Sequence, residues 1–243
     1  MRISRLFVPQ ALESGATVVL AAESVHYLLS VLRLRAGDAL VAFNGAGGEF
    51  PARVVEIGRD RVSLSLGLHD DREAESGLQT HLGLGISRAE RMDLGIQKAV
   101  ELGVTAITPL FTERCVVRLS GDRIDQRLHH WRMVVRSACE QCGRNRLPPL
   151  HPPEGLTEWL HGQSGMRLFL HPHGGRTLRQ LAPPSGPVAL LSGPEGGFSD
   201  GERQQALSAG FIPLRLGPRV LRTETAALAG LAALQSLWGD IGS

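Results

Sequence analysis

Residues 187–202 read Pro187-Val188-Ala189-Leu190-Leu191-Ser192-Gly193-Pro194-Glu195-Gly196-Gly197-Phe198-Ser199-Asp200-Gly201-Glu202. The apolar run 187–191 has the length of a strand buried on both faces, as in a parallel sheet. Gly196 and Gly197 let the backbone turn sharply and approach a ligand closely. Ser199 with Glu202 three residues on is a capping box, so a helix starts there. The stretch predicts strand, glycine turn and helix N-terminus, and open α/β sheets bind ligands at the carboxyl ends of their strands. A plain βα turn would explain the glycines, but it has no need of Glu195.

The arrangement repeats downstream. A strand near Phe211–Leu216 runs into Gly217-Pro218-Arg219-Val220-Leu221-Arg222-Thr223-Glu224-Thr225-Ala226, and a helix is expected from about Thr223 to Trp238. Thr223 reads as its N-cap, and Glu224 suits the helix dipole. Arg219 and Arg222 sit at the unfavourable end of that dipole, where they are placed to meet an anion or a polar base. The small residues of this helix allow close packing, in a core or at a subunit interface. Upstream, strands are expected at 81–86, 105–111 and 167–170, with helices over Arg91–Leu102, stopped by Gly103, and Asp125–Cys142. In the second helix Leu128, Trp131, Val135, Ala138 and Cys142 recur at spacings of three and four. Strands alternating with helices make residues 78–243 an α/β domain.

Residues 1–70 read differently. Ala39–Phe43 and Phe50–Ile57 flank the glycine-rich turn Asn44–Gly48, a hairpin signal. Residues 62–66 alternate apolar and polar with period two, and a helix is expected near Glu23–Leu34. This is a small barrel or sheet, marginal alone at this size, joined through the charged linker Asp70–Gly77.

The whole chain has 243 residues, 26 basic and 24 acidic, for a net charge of +2. That excludes a basic coat over the whole surface but not a local patch. The patch is at 114–146, where eight arginines face three acids, a local +5. It is either a solvated helix face or a phosphate-binding one. All but one of the basic residues are arginine, largely a matter of composition, and the exception is Lys98. No apolar run of 18 residues is present, so no membrane span is expected, and the start MRISRLFVPQ lacks a signal-peptide core, so the expected compartment is the cytoplasm. Three cysteines make no disulfide framework. Cys139 and Cys142 lie on one helix without two further converging ligands, so buried thiols are expected and no metal. Gly83-Leu84-Gly85 lacks the third glycine and the acid of a dinucleotide fingerprint. Neither a Gly-x-Ser-x-Gly elbow nor a Walker A loop appears.

Five stretches, two of them within those quoted above, carry a resemblance. Arg88-Ala89-Glu90-Arg91-Met92-Asp93-Leu94-Gly95-Ile96-Gln97-Lys98-Ala99-Val100-Glu101-Leu102-Gly103, Pro109–Arg114, Glu140-Gln141-Cys142-Gly143-Arg144-Asn145, Gly193–Gly197 and Leu221–Ala226 resemble, in order, motifs of the ribosomal RNA small subunit methyltransferase E family. His26-Tyr27-Leu28, Val31-Leu32-Arg33 and Gly37-Asp38 fit its N-terminal part. The resemblance implies a SPOUT α/β domain with a C-terminal trefoil knot, preceded by a PUA-like β-barrel that helps bind RNA. It implies a homodimer that transfers the methyl group of S-adenosylmethionine (SAM) to N3 of uridine 1498 in 16S ribosomal RNA, on the assembled small subunit.

Carried over residue by residue, the resemblance places the cofactor against Leu170, His171 and Pro172; Gly193, Pro194, Glu195, Gly196 and Gly197; and Leu216, Gly217, Leu221, Arg222, Thr223, Glu224, Thr225 and Ala226. RNA contact is expected from Arg33, Arg88, Arg91, Lys98, Arg114, Arg144 and Asn145. Uracil N3 carries a hydrogen, so its methylation calls for a base, a stabiliser of negative charge, or both. Arg222 is expected to be the stabiliser; Glu195 is a candidate base or a cofactor ligand. Two rivals are a related methyltransferase acting on transfer RNA or a 2′-hydroxyl, and an RNA-binding module without catalysis. The longer motifs oppose the first and the intact glycine turns the second.

Overall fold

In the computed structural model, residues 3–21, 25–117 and 119–242 are described. The chain divides into two units: residues 1–75 together with Cys139–Leu147, and residues 76–138 together with 148–243. The first boundary falls inside the expected linker. The return of residues 139–147 to the N-terminal unit was not foreseen from sequence.

The N-terminal unit holds five strands, β1 (Ser4–Phe7), β2 (Thr17–Ala21), β3 (Ala39–Phe43), β4 (Phe50–Ile57) and β5 (Arg61–Leu66). Their order in the sheet is β1-β3-β4-β5-β2, with β1 and β3 parallel and the other pairs antiparallel. Alternate residues Leu40 and Ala42, Ala52 and Val54, and Val62, Leu64 and Leu66 point into one core, which Leu6, Leu28 and Leu34 complete. Of the helix expected over 23–34, the described residues are helical from 25 to 31. Among the described residues, Tyr27–Val31 forms one π-helical turn, and Arg33 ends it with a φ of 54°, a left-handed conformation uncommon outside glycine. Glu23 lies outside the described residues.

Residues 139–147 are bound into this unit by polar groups. Glu140 accepts the backbone N–H of Phe7 (2.9 Å) and the hydroxyl of Tyr27 (2.5 Å). Arg144 pairs with Glu75 at 2.5 Å. Asn145 accepts from Arg5 (2.5 Å) and donates to the carbonyl of Arg72 (2.5 Å), while Arg5 and Arg72 share Glu49. Burial pushes the Cys139 thiol up to about 12, against the pull of Arg144.

The second unit is a six-stranded sheet, wholly parallel, of β6 (Thr80–Gly85), β7 (Ala106–Phe111), β8 (Glu154–Gly155), β9 (Met166–Leu170), β10 (Val188–Ser192) and β11 (Ile212–Leu214). The order is β11-β9-β10-β6-β7-β8. Its helices are α1 (Ala89–Glu101), α2 (Asp122–Cys142), α3 (Leu156–His161), α4 (Asp200–Ser208) and α5 (Thr223–Trp238). The last turn of α2, from Cys139, is counted with the N-terminal unit. Helices α1 and α5 pack together on one face, where Gly230 of α5 meets Leu190 of β10. On the other face Ala189 and Leu191 join Leu110, Phe169, Trp159, Leu160 and Phe198 in a second core. Both faces of β10 are therefore covered and every residue of it is buried, which is why Val188–Leu191 form a continuous apolar run. No helix among the described residues is long and apolar enough to cross a membrane.

Candidate active site

Strands β9, β10 and β11 are neighbours, so the loops that leave their carboxyl ends meet. They enclose a cavity of about 520 Å³, within the range of roughly 300–1,000 Å³ usual for small-molecule sites. Of the residues assigned to the cofactor from sequence, Leu170, His171, Pro172, Gly193, Pro194, Glu195, Gly196, Gly197, Leu216, Gly217, Leu221, Arg222, Thr223 and Ala226 line it. Glu224 and Thr225 are not in its lining; Glu224 is buried in the first turn of α5 and Thr225 faces outward. The N-cap of α5 is Arg222 rather than Thr223, which is the first helical residue.

The glycine turn is held from several sides. Glu195 accepts the Arg88 backbone N–H at 3.1 Å through Oε1 and pairs with Arg91 at 3.4 Å. Burial alone would raise its carboxyl pKa, but the Arg88 N–H and the Arg91 guanidinium win and hold it below the usual carboxylate range. Its other oxygen, Oε2, is buried without a hydrogen-bond partner. Arg114 donates to the Gly196 carbonyl at 3.2 Å. A Cβ on Gly85 would come within 2.4 Å of the Pro194 nitrogen, so the β6 end and this turn are in backbone contact that only glycine permits. The expected capping box is formed, with Ser199 Oγ accepting the Glu202 N–H and Glu202 accepting the Ser199 N–H.

Arg91, Arg114, Arg203, Arg219 and Arg222 line the cavity against a single carboxylate, Glu195, so an anion entering it meets a favourable field. Burial, helped by Arg203 and His173, lowers the pKa of His171 and so favours its neutral form. Arg203 also donates to the Phe198 carbonyl at 2.7 Å. Sequence reading missed Arg203 and Phe198; the signal was available, because a residue one turn into a helix that follows a glycine turn lies beside that turn.

The residues expected to touch RNA separate into groups. Arg91 and Arg114 belong to the cavity wall, and Arg88 is exposed at the N-cap of α1. Arg33 is exposed in the N-terminal unit. Lys98 is bound to Glu101 at 2.7 Å, one turn along α1. Arg144 and Asn145 correct the expectation: they are 4% and 0% exposed and are occupied inside the N-terminal unit by Glu75, Arg5 and the Arg72 carbonyl. A side chain so enclosed has no face left for a phosphate. The local charge excess over 114–146 includes Arg144, whose charge is spent on Glu75. Arg118, in the same stretch, lies outside the described residues.

This geometry matches known proteins. A family model for an RNA methyltransferase domain matches residues 74–235 and one for an RNA methyltransferase PUA domain matches residues 20–67. The ribosomal RNA small subunit methyltransferase E of Buchnera aphidicola from Schizaphis graminum is 37% identical over 99% of this chain and 98% of its own. The chain belongs to the ribosomal RNA small subunit methyltransferase E family. A family member from Neisseria gonorrhoeae, solved bound to S-adenosyl methionine, is 41% identical and superposes with a TM-score of 0.92 over 98% of this chain and 99% of its own. A methyltransferase from Legionella pneumophila, solved in complex with bound SAM, is 40% identical with a TM-score of 0.95 over 99% and 100% of the two chains. The PUA-like N-terminal unit and the parallel α/β unit are those of the family.

Proposed function

We propose that this family member binds SAM in the cavity at the ends of β9, β10 and β11 and methylates N3 of uridine 1498 in 16S ribosomal RNA. The observation that carries the reading is the convergence of three loops, named from sequence as the cofactor site, around one cavity whose charged lining residues are mainly basic. The residues fit the cofactor. A methyl group added at Gly197 or Gly217 would meet no protein atom within 4 Å, so two stretches of bare backbone face open space where a nucleoside can lie. Leu170, Leu216 and Leu221 offer apolar surface to a base, and the unpartnered Oε2 of Glu195 offers an acceptor to a hydroxyl or a cationic sulfur.

SAM supplies the methyl group as an electrophile. The chain must make uracil N3 nucleophilic. Arg222, exposed at the start of α5 and lining the cavity with no side-chain cap to occupy it, stabilises the negative charge that develops on O2 or O4 as the N3 proton leaves. Glu195 is ill matched to the base, because a general base works best with a pKa near the operating pH and this carboxyl is held down by Arg88 and Arg91. Its role is to anchor the glycine turn and meet the cofactor. Arg33, Arg88, Arg91, Lys98 and Arg114 are the residues proposed to meet RNA, with salt-dependent binding. The enzyme is proposed to work as a cytoplasmic homodimer on the assembled subunit.

Mass mapping of modified nucleotides in 16S ribosomal RNA, from cells with and without the gene, tests the function. Loss of N3-methyluridine at position 1498 in the deletion, restored by the gene, is expected; an unchanged position 1498 overturns it. Calorimetric titration with SAM separates an enzyme from a non-catalytic RNA-binding module.

A further inference from the structure

The two oxygens of Glu202 do different jobs. In a capping box the glutamate reaches back to the N-cap amide, and Oε2 does this to Ser199 at 2.8 Å. Oε1 instead accepts the backbone N–H of Glu113, also at 2.8 Å, in the turn that follows β7. Glu202 is 4% exposed, so both bonds are made away from water, where losing an acceptor is costly. Strands β7 and β10 are separated in the sheet by β6, and one side chain therefore ties together two loops that are not sheet neighbours.

The next residue after Glu113 is Arg114, which lines the cavity and donates to Gly196. The fit there is tight: a Cβ on Gly196 would lie 2.8 Å from the Arg114 Cβ and 3.0 Å from its carbonyl oxygen. The distance between the two loops thus sets how the glycine turn presents itself to the cavity. We propose that Glu202 is a positioning residue of the cofactor pocket, acting through Glu113 and Arg114 on the glycine turn; this rests on the assignment of the cavity to SAM. Glu202→Gln puts an NH₂ against one of two N–H donors, so one loop must be released. Glu202→Asp keeps the charge and the cap but falls one methylene short of Glu113.

Calorimetric titration of the full chain with SAM tests it. Glu202→Gln and Glu202→Asp are each expected to weaken SAM about tenfold. In an Arg114→Ala background, which loses the guanidinium bond to the Gly196 carbonyl and keeps only the backbone contact, the same changes should cost less than in the parent, because part of what they position is gone. Ser199→Ala, which removes only the hydroxyl half of the cap, should lower the melting temperature and leave the SAM affinity as it was. A Glu202 variant with affinity within twofold of the parent, an effect of full size on top of Arg114→Ala, or an equal loss in Ser199→Ala would each overturn the positioning role. Should Glu202→Gln not fold, Glu202→Asp carries the same cycle. Failure of the parent chain itself to bind SAM is a different result, which overturns the assignment of the cavity and this role with it.

Discussion

Arg222 is the residue on which the proposed chemistry turns. Removing one preorganised donor to a developing oxyanion typically costs about 10²–10³ in kcat. Arg222→Ala is expected to lose that much in methyl transfer while SAM affinity, carried mainly by backbone and apolar surface, changes little; single-turnover assays beside calorimetry check it, and near-parental turnover with intact binding would remove Arg222 from the mechanism. Lys98 poses a quieter test. Its bond to Glu101 is an exposed pair one turn apart, worth at most about 0.5 kcal/mol, and arginine can keep it. Lys98→Arg is therefore expected to melt within about 1 °C of the parent yet methylate the ribosomal subunit less well, since a compact ammonium and a planar guanidinium meet a phosphate differently; unchanged methylation would reduce the lysine to an accident of composition. At this scale the cavity lining was legible because glycine, proline and capping residues encode their backbone locally. Arg144 was misread because a charge count records the sign of a side chain but not its partner, and Asn145 because a motif does not show what its amide meets; the partners, Glu75, Arg5 and Arg72, are far away in sequence.

The elements most visible in the sequence were those whose burial spans a full period. β10 announced itself by the apolar run Val188–Leu191, and α2 by about four turns of apolar spacing. α3, six residues long, and β8, two residues long, are too short to display any period, although α3 carries Trp159, one of the largest buried side chains. Trp159 packs over β6 where Gly83 leaves room, and its Nε1 lies 3.4 Å from Nε2 of His81, which also meets the Thr108 hydroxyl at 2.8 Å. Burial first, and then the neighbouring His151, lower the pKa of His81 to about 4, against about 6.5 in an unfolded chain. Between those values the unfolded chain binds the proton and the folded one does not, so the junction of β6, β7 and α3 is stable above pH 6.5 and loses stability as the pH falls towards 4. The slope contributed by one such group is at most about 1.4 kcal/mol per pH unit. Urea denaturation from pH 7 to pH 4.5 should show it, and His81→Asn should flatten it; an equal slope in that variant would assign the acid sensitivity elsewhere.

At the level of the whole molecule, the α/β character and the two-part organisation were legible, since the apolar runs and the period-two strands fall in separate halves of the chain. The membership of Cys139–Leu147 in the N-terminal unit was not, because nothing in a helix's own periodicity says where its last turn will be spent. Arg144→Leu tests that membership. It leaves Glu75 without its partner in a largely enclosed place, at a cost of about 2 kcal/mol, less than a fully buried pair because Glu75 keeps some contact with water. Hydrogen exchange should show amides of β1, β3 and β4 losing protection while those of β6 and β10 keep theirs; protection lost equally everywhere, or nowhere, would count against it.

The same feature fixes an order of events during synthesis. A chain grows from its N-terminus at roughly 5–20 residues per second, and residues 76–138 separate the first part of the N-terminal unit from the rest. For about 3–13 seconds the strands of the N-terminal sheet are outside the ribosome without Arg144 for Glu75 or Asn145 for Arg5. The unit that is begun first is thus completed only at residue 147, after residues 76–138 of the other unit have been made. A gene fragment ending at residue 75, however natural it looks as a cassette for transplanting the PUA-like unit, would leave its closing piece behind in the enzyme.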